Sequence, residues 1–229
     1  MKQLLRKLKR VLDPYIGKYI DKFIWRFRHL ILANWEDGYL DEQSLEHPHR
    51  ELIINTIGTR LEVKTILELG TGSGINLVNL SKHFPNISYS GIDINKRAID
   101  RGLEYLKDKD IFNIDLIRGN IANIKQMKTR SVDIILTDAV LMYLNPEDVK
   151  EILKEMLRIS RLGFILCEQM SAGGIYVDHW RHDYKAILKN LAGIKKVSIK
   201  KISDEYWDGD WIKFGYIIDV TKASSDLNF

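Results

Sequence analysis

The sequence has little from which to build a cross-linked, membrane-spanning or repetitive protein. One cysteine, Cys167, stands among 229 residues, so no disulfide can form within the chain. No stretch reaches the ~18 uninterrupted apolar residues of a membrane-spanning helix. No signal peptide is evident at the start, and cytoplasmic residence is the expectation. There are no internal repeats and no low-complexity linker. Net positive charge is confined to the N-terminus. Nine Lys or Arg and two Asp fall in residues 1–30, a local +7 that leaves −3 for the rest of a chain of net +4. A mildly acidic body offers no basic groove for tracking a nucleic-acid backbone, so nucleic acid is not an expected partner. His47 and His49 lie two apart without a supporting ligand cluster, and no metal is expected.

What remains has the composition of a globular domain, 45% apolar and 29% charged, long enough for one buried core and an appendage. Its most informative stretch is Thr-Ile-Leu-Glu-Leu-Gly-Thr-Gly-Ser-Gly, Thr65 to Gly74. The apolar run Ile66–Leu69 predicts a buried parallel strand, and Gly70, Gly72 and Gly74 follow in a turn that a helix pattern continues to Pro85. Strand, glycine turn and helix present backbone N–H groups to a ligand at the C-terminal edge of a doubly wound sheet. The spacing Gly-x-Gly-x-Gly departs from the dinucleotide fingerprint. Glu68, two residues before Gly70, would repel a diphosphate but can hold an ammonium group. A second apolar segment ends in Asp93, whose carboxylate can accept from both hydroxyls of a ribose. Together these features describe a site for a nucleoside carrying an amino-acid tail, and disfavour a nicotinamide cofactor.

The segment from about Thr65 to Glu168 resembles the class I S-adenosylmethionine-dependent methyltransferases, in their small-molecule branch. Glu68-Leu-Gly-Thr-Gly-Ser-Gly74 matches the family's acidic glycine loop, Gly91-Ile-Asp93 its ribose acid, and Arg118-Gly-Asn120-Ile-Ala the loop that brackets adenine. Val132 to Leu144 is similar to the family's fourth strand and the helix after it. The resemblance implies S-adenosylmethionine as cofactor, held by Glu68, Gly70, Thr71, Gly72, Gly74, Asp93, Ile94, Asn120, Ile121 and Thr137. Asn120 replaces the usual Asp, and its amide oxygen can still accept from the adenine amino group. Tyr143 stands where the family commonly has His. The N/D-P-P-Y signature of base and glutamine amino methylation is absent, with Thr137-Asp-Ala-Val140 in its place.

The expected fold is therefore α/β: a three-layer, doubly wound, mostly parallel seven-stranded sheet with an N-terminal helical extension. Strands are predicted at Thr65–Leu69, Ser88–Asp93, Asp115–Arg118, Val132–Thr137 and Phe164–Glu168, with Cys167 buried in the last. Helices are predicted at Gly74–His83, Lys96–Lys107, Pro146–Arg158 and Trp180–Asn190. The tail segments Lys195–Ile202 and Ile212–Val220 read as a paired strand couple around an Asp208-Gly209 turn. Residues 1–60 form the extension, 61–222 the cofactor-binding domain and 223–229 a tail. From Met1 to about Asn34 the pattern is amphipathic helix, either a cap on the domain or, through Phe23, Trp25 and Phe27, a contact with anionic lipid at the inner membrane face. Asn34 to Pro48 reads as loop, and His47-Pro-His49-Arg50 opens a helix that can place those side chains toward the cofactor loop.

Transfer from a sulfonium to oxygen benefits from a base. The candidates are His179 and His182, in a six-residue cluster at an expected helix start, then Asp138 and Tyr143 after the fourth strand. Met170 to Tyr176 is positioned to act as a lid. Tyr206, Trp207 and Trp211 either line an aromatic acceptor surface or pack the core. The expected acceptor is a hydroxyl of a small or medium-sized molecule, with a glycan or lipid-linked precursor among the choices. A protein or peptide acceptor is the alternative, and a non-catalytic S-adenosylmethionine-binding regulator the alternative of another class. Oligomeric state is not readable.

Overall fold

A computed structural model describes residues 42–172, 175–176 and 179–223. The basic amphipathic segment, the first part of the expected loop after it, Gly173-Gly174 of the expected lid and residues 224–229 lie outside the described residues.

The described residues open with two short helices, α1 (Glu42–Leu45) and α2 (His49–Gly58). The strands and helices then alternate as β1 (Thr65–Leu69), α3 (Ile75–His83), β2 (Ser88–Asp93), α4 (Lys96–Asp108), β3 (Ile114–Arg118), β4 (Val132–Asp138), α5 (Pro146–Ile159) and β5 (Ser160–Gln169). A two-stranded hairpin, β6 (Ile175–Tyr176) with β7 (His179–Trp180), precedes α6 (Tyr184–Lys189). β8 (Ile194–Lys201), α7 (Gly209–Phe214) and β9 (Gly215–Lys222) follow.

Seven strands form one sheet in the order β3-β2-β1-β4-β5-β9-β8. β1 to β5 are parallel, while β9 runs antiparallel to both β5 and β8. Strand periodicity explains the three layers, because alternate side chains leave opposite faces. Leu67, Ile135, Phe164 and Leu166 join Val149, Leu153 and Met156 of α5 and Tyr184 of α6 on one side. Ile66, Ile134, Ile165 and Cys167 join Ile53 and Ile57 of α2, Leu77 of α3 and Ile99 of α4 on the other. Helix α2 therefore contributes to the core of the sheet domain, and the helical layer begins before residue 61. The order reverses between β1 and β4, the switch point at whose carboxyl end such sheets leave a crevice.

Helix starts follow local chemistry. Asn95 caps α4 by accepting from Arg97 N and Ala98 N, and Asn145 caps α5 by accepting from Glu147 N and Asp148 N. Three expectations are corrected. Residues 42–45, within the expected loop, are helical. The helix expected from Trp180 begins only at Tyr184, because His179 and Trp180 pair with Tyr176 and Ile175 and Asp183 accepts from Ala186 N as the cap. Gly209 does not turn one strand into the next; it opens α7, and the strand after it starts at Gly215 rather than Ile212.

Candidate active site

The glycine loop is held from below by Glu68. This side chain is buried at the end of β1 and accepts from Thr71 Oγ1 at 2.5 Å and from Asn76 Nδ2 at 2.7 Å. Burial pushes its carboxyl up to about 8, against the two hydrogen bonds that favour ionisation. Both of its oxygens thus fasten the loop to the first turn of α3. Two close approaches shape the loop further. At Gly70, with φ of 71°, an added Cβ would lie 2.3 Å from Val140 Cγ2, so the side chain after β4 rests on bare backbone. At Gly102 of α4 it would lie 2.4 Å from the carbonyl oxygen of Ser73. Neither position has room for a side chain.

Asp93 ends β2, the strand beside β1. Its Oδ2 accepts from Gly72 N at 2.8 Å and its Oδ1 from Asn95 N at 2.7 Å. A carboxylate offers about four acceptor sites, the chemistry that a ribose diol requires. Ile94, next along, is 38% exposed. Ile121 is half-buried at the start of a 3₁₀ turn over Ile121–Gln126. The exposed Asn120 caps that turn, its amide oxygen accepting from Ala122 N at 2.9 Å. Two apolar rims and an amide at the ends of β2 and β3 suit a flat heterocycle, and Asp93 suits its ribose. Thr71 and Thr137 are buried, the latter wholly within β4.

Across the switch point lies a second network, assembled from four elements. Asp138 ends β4, and its Oδ2 accepts from His49 Nε2 at 2.9 Å and from Asn76 Nδ2 at 3.0 Å. Arg50 reaches within 3.9 Å of the same oxygen and donates to Asn76 Oδ1 and, through Nε, to the carbonyl of Ser44. Burial alone would raise the Asp138 carboxyl. The attraction and hydrogen bond of His49, with Arg50 and Asn76, outweigh it and hold the group well below the usual carboxylate range. Continuing outward, His49 Nδ1 lies 2.6 Å from His47 Nδ1. Trp207 stacks on His49 at 4.1 Å between centroids and on Trp211 at 4.0 Å.

The backbone leaving β4 is pinned as well. Ala139 has φ of 56°, in the left-handed region that an alanine enters at a cost. Glu168, buried at the end of β5, accepts from Val140 N at 3.0 Å and Leu141 N at 2.9 Å through one oxygen. Burial raises its carboxyl to about 7, with those two N–H groups pulling the other way.

The remaining expected residues lie elsewhere on this edge. His182 is buried, and its Nε2 donates to the carbonyl oxygen of Leu141 at 3.0 Å; burial lowers its pKa. His179, on β7, directs Nε2 at Gln169 Oε1, 3.1 Å away, the same oxygen that accepts from Arg181 Nε. Tyr143 ends the 3₁₀ turn Leu141–Tyr143. Neither His179 nor His182 is the histidine bonded to Asp138. The structure instead brings Asp138 to His49, a residue 89 positions away, with no local spacing to announce the pair. Among the described residues no group of three or more His, Cys, Asp or Glu is placed to hold a metal.

Residues 66–163 match the family model described as a methyltransferase domain. An uncharacterized protein of Rickettsia prowazekii is 28% identical over 108 residues, 46% of this chain and 43% of that protein. A tRNA (guanine-N(7)-)-methyltransferase of Mannheimia succiniciproducens is 27% identical over 99 residues, 43% of this chain and 37% of that enzyme. The match thus spans less than half the length of both curated relatives. A crystal structure of an S-adenosylmethionine-dependent methyltransferase from Aquifex aeolicus superposes with a TM-score of 0.61 at 18% identity, covering 82% of this chain and 97% of that one. Residues 66–163 therefore form a methyltransferase domain, in a chain with the fold of the class I, Rossmann-like, S-adenosylmethionine-dependent methyltransferases.

Proposed function

We propose that the chain transfers a methyl group from S-adenosylmethionine to a hydroxyl oxygen of a small or medium-sized acceptor, with glycans and lipid-linked precursors the first class to try. The observation that carries this reading is the juxtaposition across one crevice: a glycine loop and ribose acid on β1 and β2, and an imidazole–carboxylate pair at the end of β4. S-adenosylmethionine supplies a methyl group on a sulfonium, whose departure needs no protonation. The chain is left two tasks, to align the acceptor and to take its proton. Asp93 and the rims at Ile94 and Ile121 fix the nucleoside end, Glu68 holds the loop, and Val140 closes over Gly70. Alignment at near-contact distance supplies most of the rate. An alcohol also gains from a base, which an amine or thiolate needs less, and a buried carboxylate hydrogen-bonded to imidazole is a costly arrangement to keep for packing alone. Residues 1–30, with their excess of seven positive charges, are in this proposal a contact with anionic lipid on the cytoplasmic side.

The test incubates the purified full chain with methyl-tritiated S-adenosylmethionine and three probe groups: nucleotide sugars, lipid-linked glycans and peptides. Label in a sugar or lipid-linked probe, stable to mild base as an ether is, supports the proposal. Label confined to peptides would move the acceptor class. Binding of S-adenosylmethionine with no label in any probe would favour a non-catalytic binder.

A further inference from the structure

The chain of hydrogen bonds from Asp138 does not stop at His49. We propose that His47 Nε2 is the proton-accepting atom of a three-residue relay, Asp138–His49–His47, with His47 its solvent-side terminus. This deepens the function proposed above by naming the atom to which the acceptor's proton goes.

The direction of the relay rests on which atoms can donate. Ionised Asp138 accepts only, so His49 Nε2, 2.9 Å from it, carries the hydrogen. In the resting form of the proposed relay His49 is neutral, so its Nε2–H leaves the lone pair on Nδ1. His47 Nδ1 stands 2.6 Å from that lone pair and must donate to it. The lone pair of His47 is thereby placed on Nε2, which no described protein group engages. His47 is half-buried, whereas His49 is buried beneath Trp207. The His47 ring is tilted against Trp207 at 5.1 Å between centroids. Only the outer member of the pair therefore combines a lone pair with partial exposure.

The charged groups facing His47 come from three segments besides its own. His49 and Arg50 on α2, together with burial, lower its pKa, while Asp138 at the end of β4 and Asp208 before α7 raise it; the net effect is downward. This direction favours the neutral imidazole, the form that can receive a proton. As the acceptor oxygen bonds to the methyl carbon, its proton passes to His47 Nε2, and the electron pair of the broken carbon–sulfur bond stays on sulfur. The imidazolium then donates through Nδ1 to His49, whose own Nε2–H already points at Asp138, so the negative charge behind it offsets the new positive one.

The experiment is two-bond ¹H–¹⁵N NMR of the histidine-labelled full chain at pH 8, with and without S-adenosylhomocysteine, followed by a downward pH titration. The expected result is the Nδ1–H form for His47 and the Nε2–H form for His49. Lowering the pH should add the proton at His47 Nε2, and Asp138→Asn should move the His47 midpoint down by about half to one unit. His47→Gln, at a half-buried site, should change the His49 Nδ1 shift while the fold is kept. A His47 found in the Nε2–H form, a His47 midpoint unmoved by Asp138→Asn, or a His49 Nδ1 shift unmoved by His47→Gln would overturn the relay. Tautomers as expected but no shift change with S-adenosylhomocysteine would leave the relay standing and bring down the cofactor reading instead.

Discussion

The two halves of the sheet edge are built on opposite plans. The cofactor half, from β1 to the turn after β3, is local: Glu68 holds Thr71 and Asn76, and Asp93 holds Gly72 and Asn95, over at most 21 residues. The half across the switch point is assembled at long range, His49 meeting Asp138 over 89 positions and Glu168 fastening Val140 and Leu141 over some 28. The first half is a turn the sequence spells out. The second exists only once the sheet has closed, and it carries the groups whose protonation matters.

If the halves divide the work as described, substitutions should divide their effects. The largest effect is expected at Asp138. Asp138→Ala leaves His49 without its acceptor and Arg50 without the nearby carboxylate and should lower turnover by about 10²- to 10⁴-fold, measured as single-turnover methylation at saturating S-adenosylmethionine. Asp93→Ala should act on the other half, weakening cofactor binding by about 10- to 100-fold, the loss of charged hydrogen bonds worth roughly 1.5–3 kcal/mol. Calorimetry reads it, and unchanged affinity would remove the ribose role.

Glu168→Gln sharpens the comparison through pH. The folded-state carboxyl, at about 7, lies above its ordinary value of 4.5, so the folded state binds a proton more tightly than the unfolded one. Stability from this group is highest below pH 4.5 and falls as pH rises through 7. Glu68, raised to about 8, acts in the same direction. A glutamine oxygen can still accept from Val140 and Leu141 but never ionises. Relative to wild type, the variant should therefore gain about 1–3 kcal/mol on going from pH 5 to pH 8 in urea unfolding. A constant difference would mean that burial of this acid is no strain. The smallest effect is at Ala139: Ala139→Gly relieves a positive φ and should stabilise by about 1 kcal/mol or less, seen as a small rise in urea midpoint.

The same division explains what could be read from the chain. β1 and β2 occur where the apolar runs predict them, since a buried parallel strand bounded by glycine or an acid has few alternative readings. The pairing of the last two strands was legible as well, but not the helix α7 between them, which moves the start of the last strand from Ile212 to Gly215. Weaker reading came where tertiary pairing overrides local pattern. His179-Trp180 has a helix-like neighbourhood but pairs with Ile175-Tyr176. β5 starts at Ser160, not Phe164, because Ser160 pairs with Val132 across an irregular register before the apolar run begins. Asp138 and Glu68 carry chemistry at strand ends and were visible as such. His49 was visible only as one of two histidines at a helix start; nothing in local spacing links it to β4, and only the packing of α2 beside α3 does.

The most direct test of this two-part edge is calorimetric titration of S-adenosylhomocysteine into the wild-type chain, Asp93→Ala and Asp138→Ala. Binding by the wild type, retained within about threefold in Asp138→Ala and lost by at least about tenfold in Asp93→Ala, is the predicted result. No binding by the folded wild-type chain, or an equal loss in both variants, would contradict it.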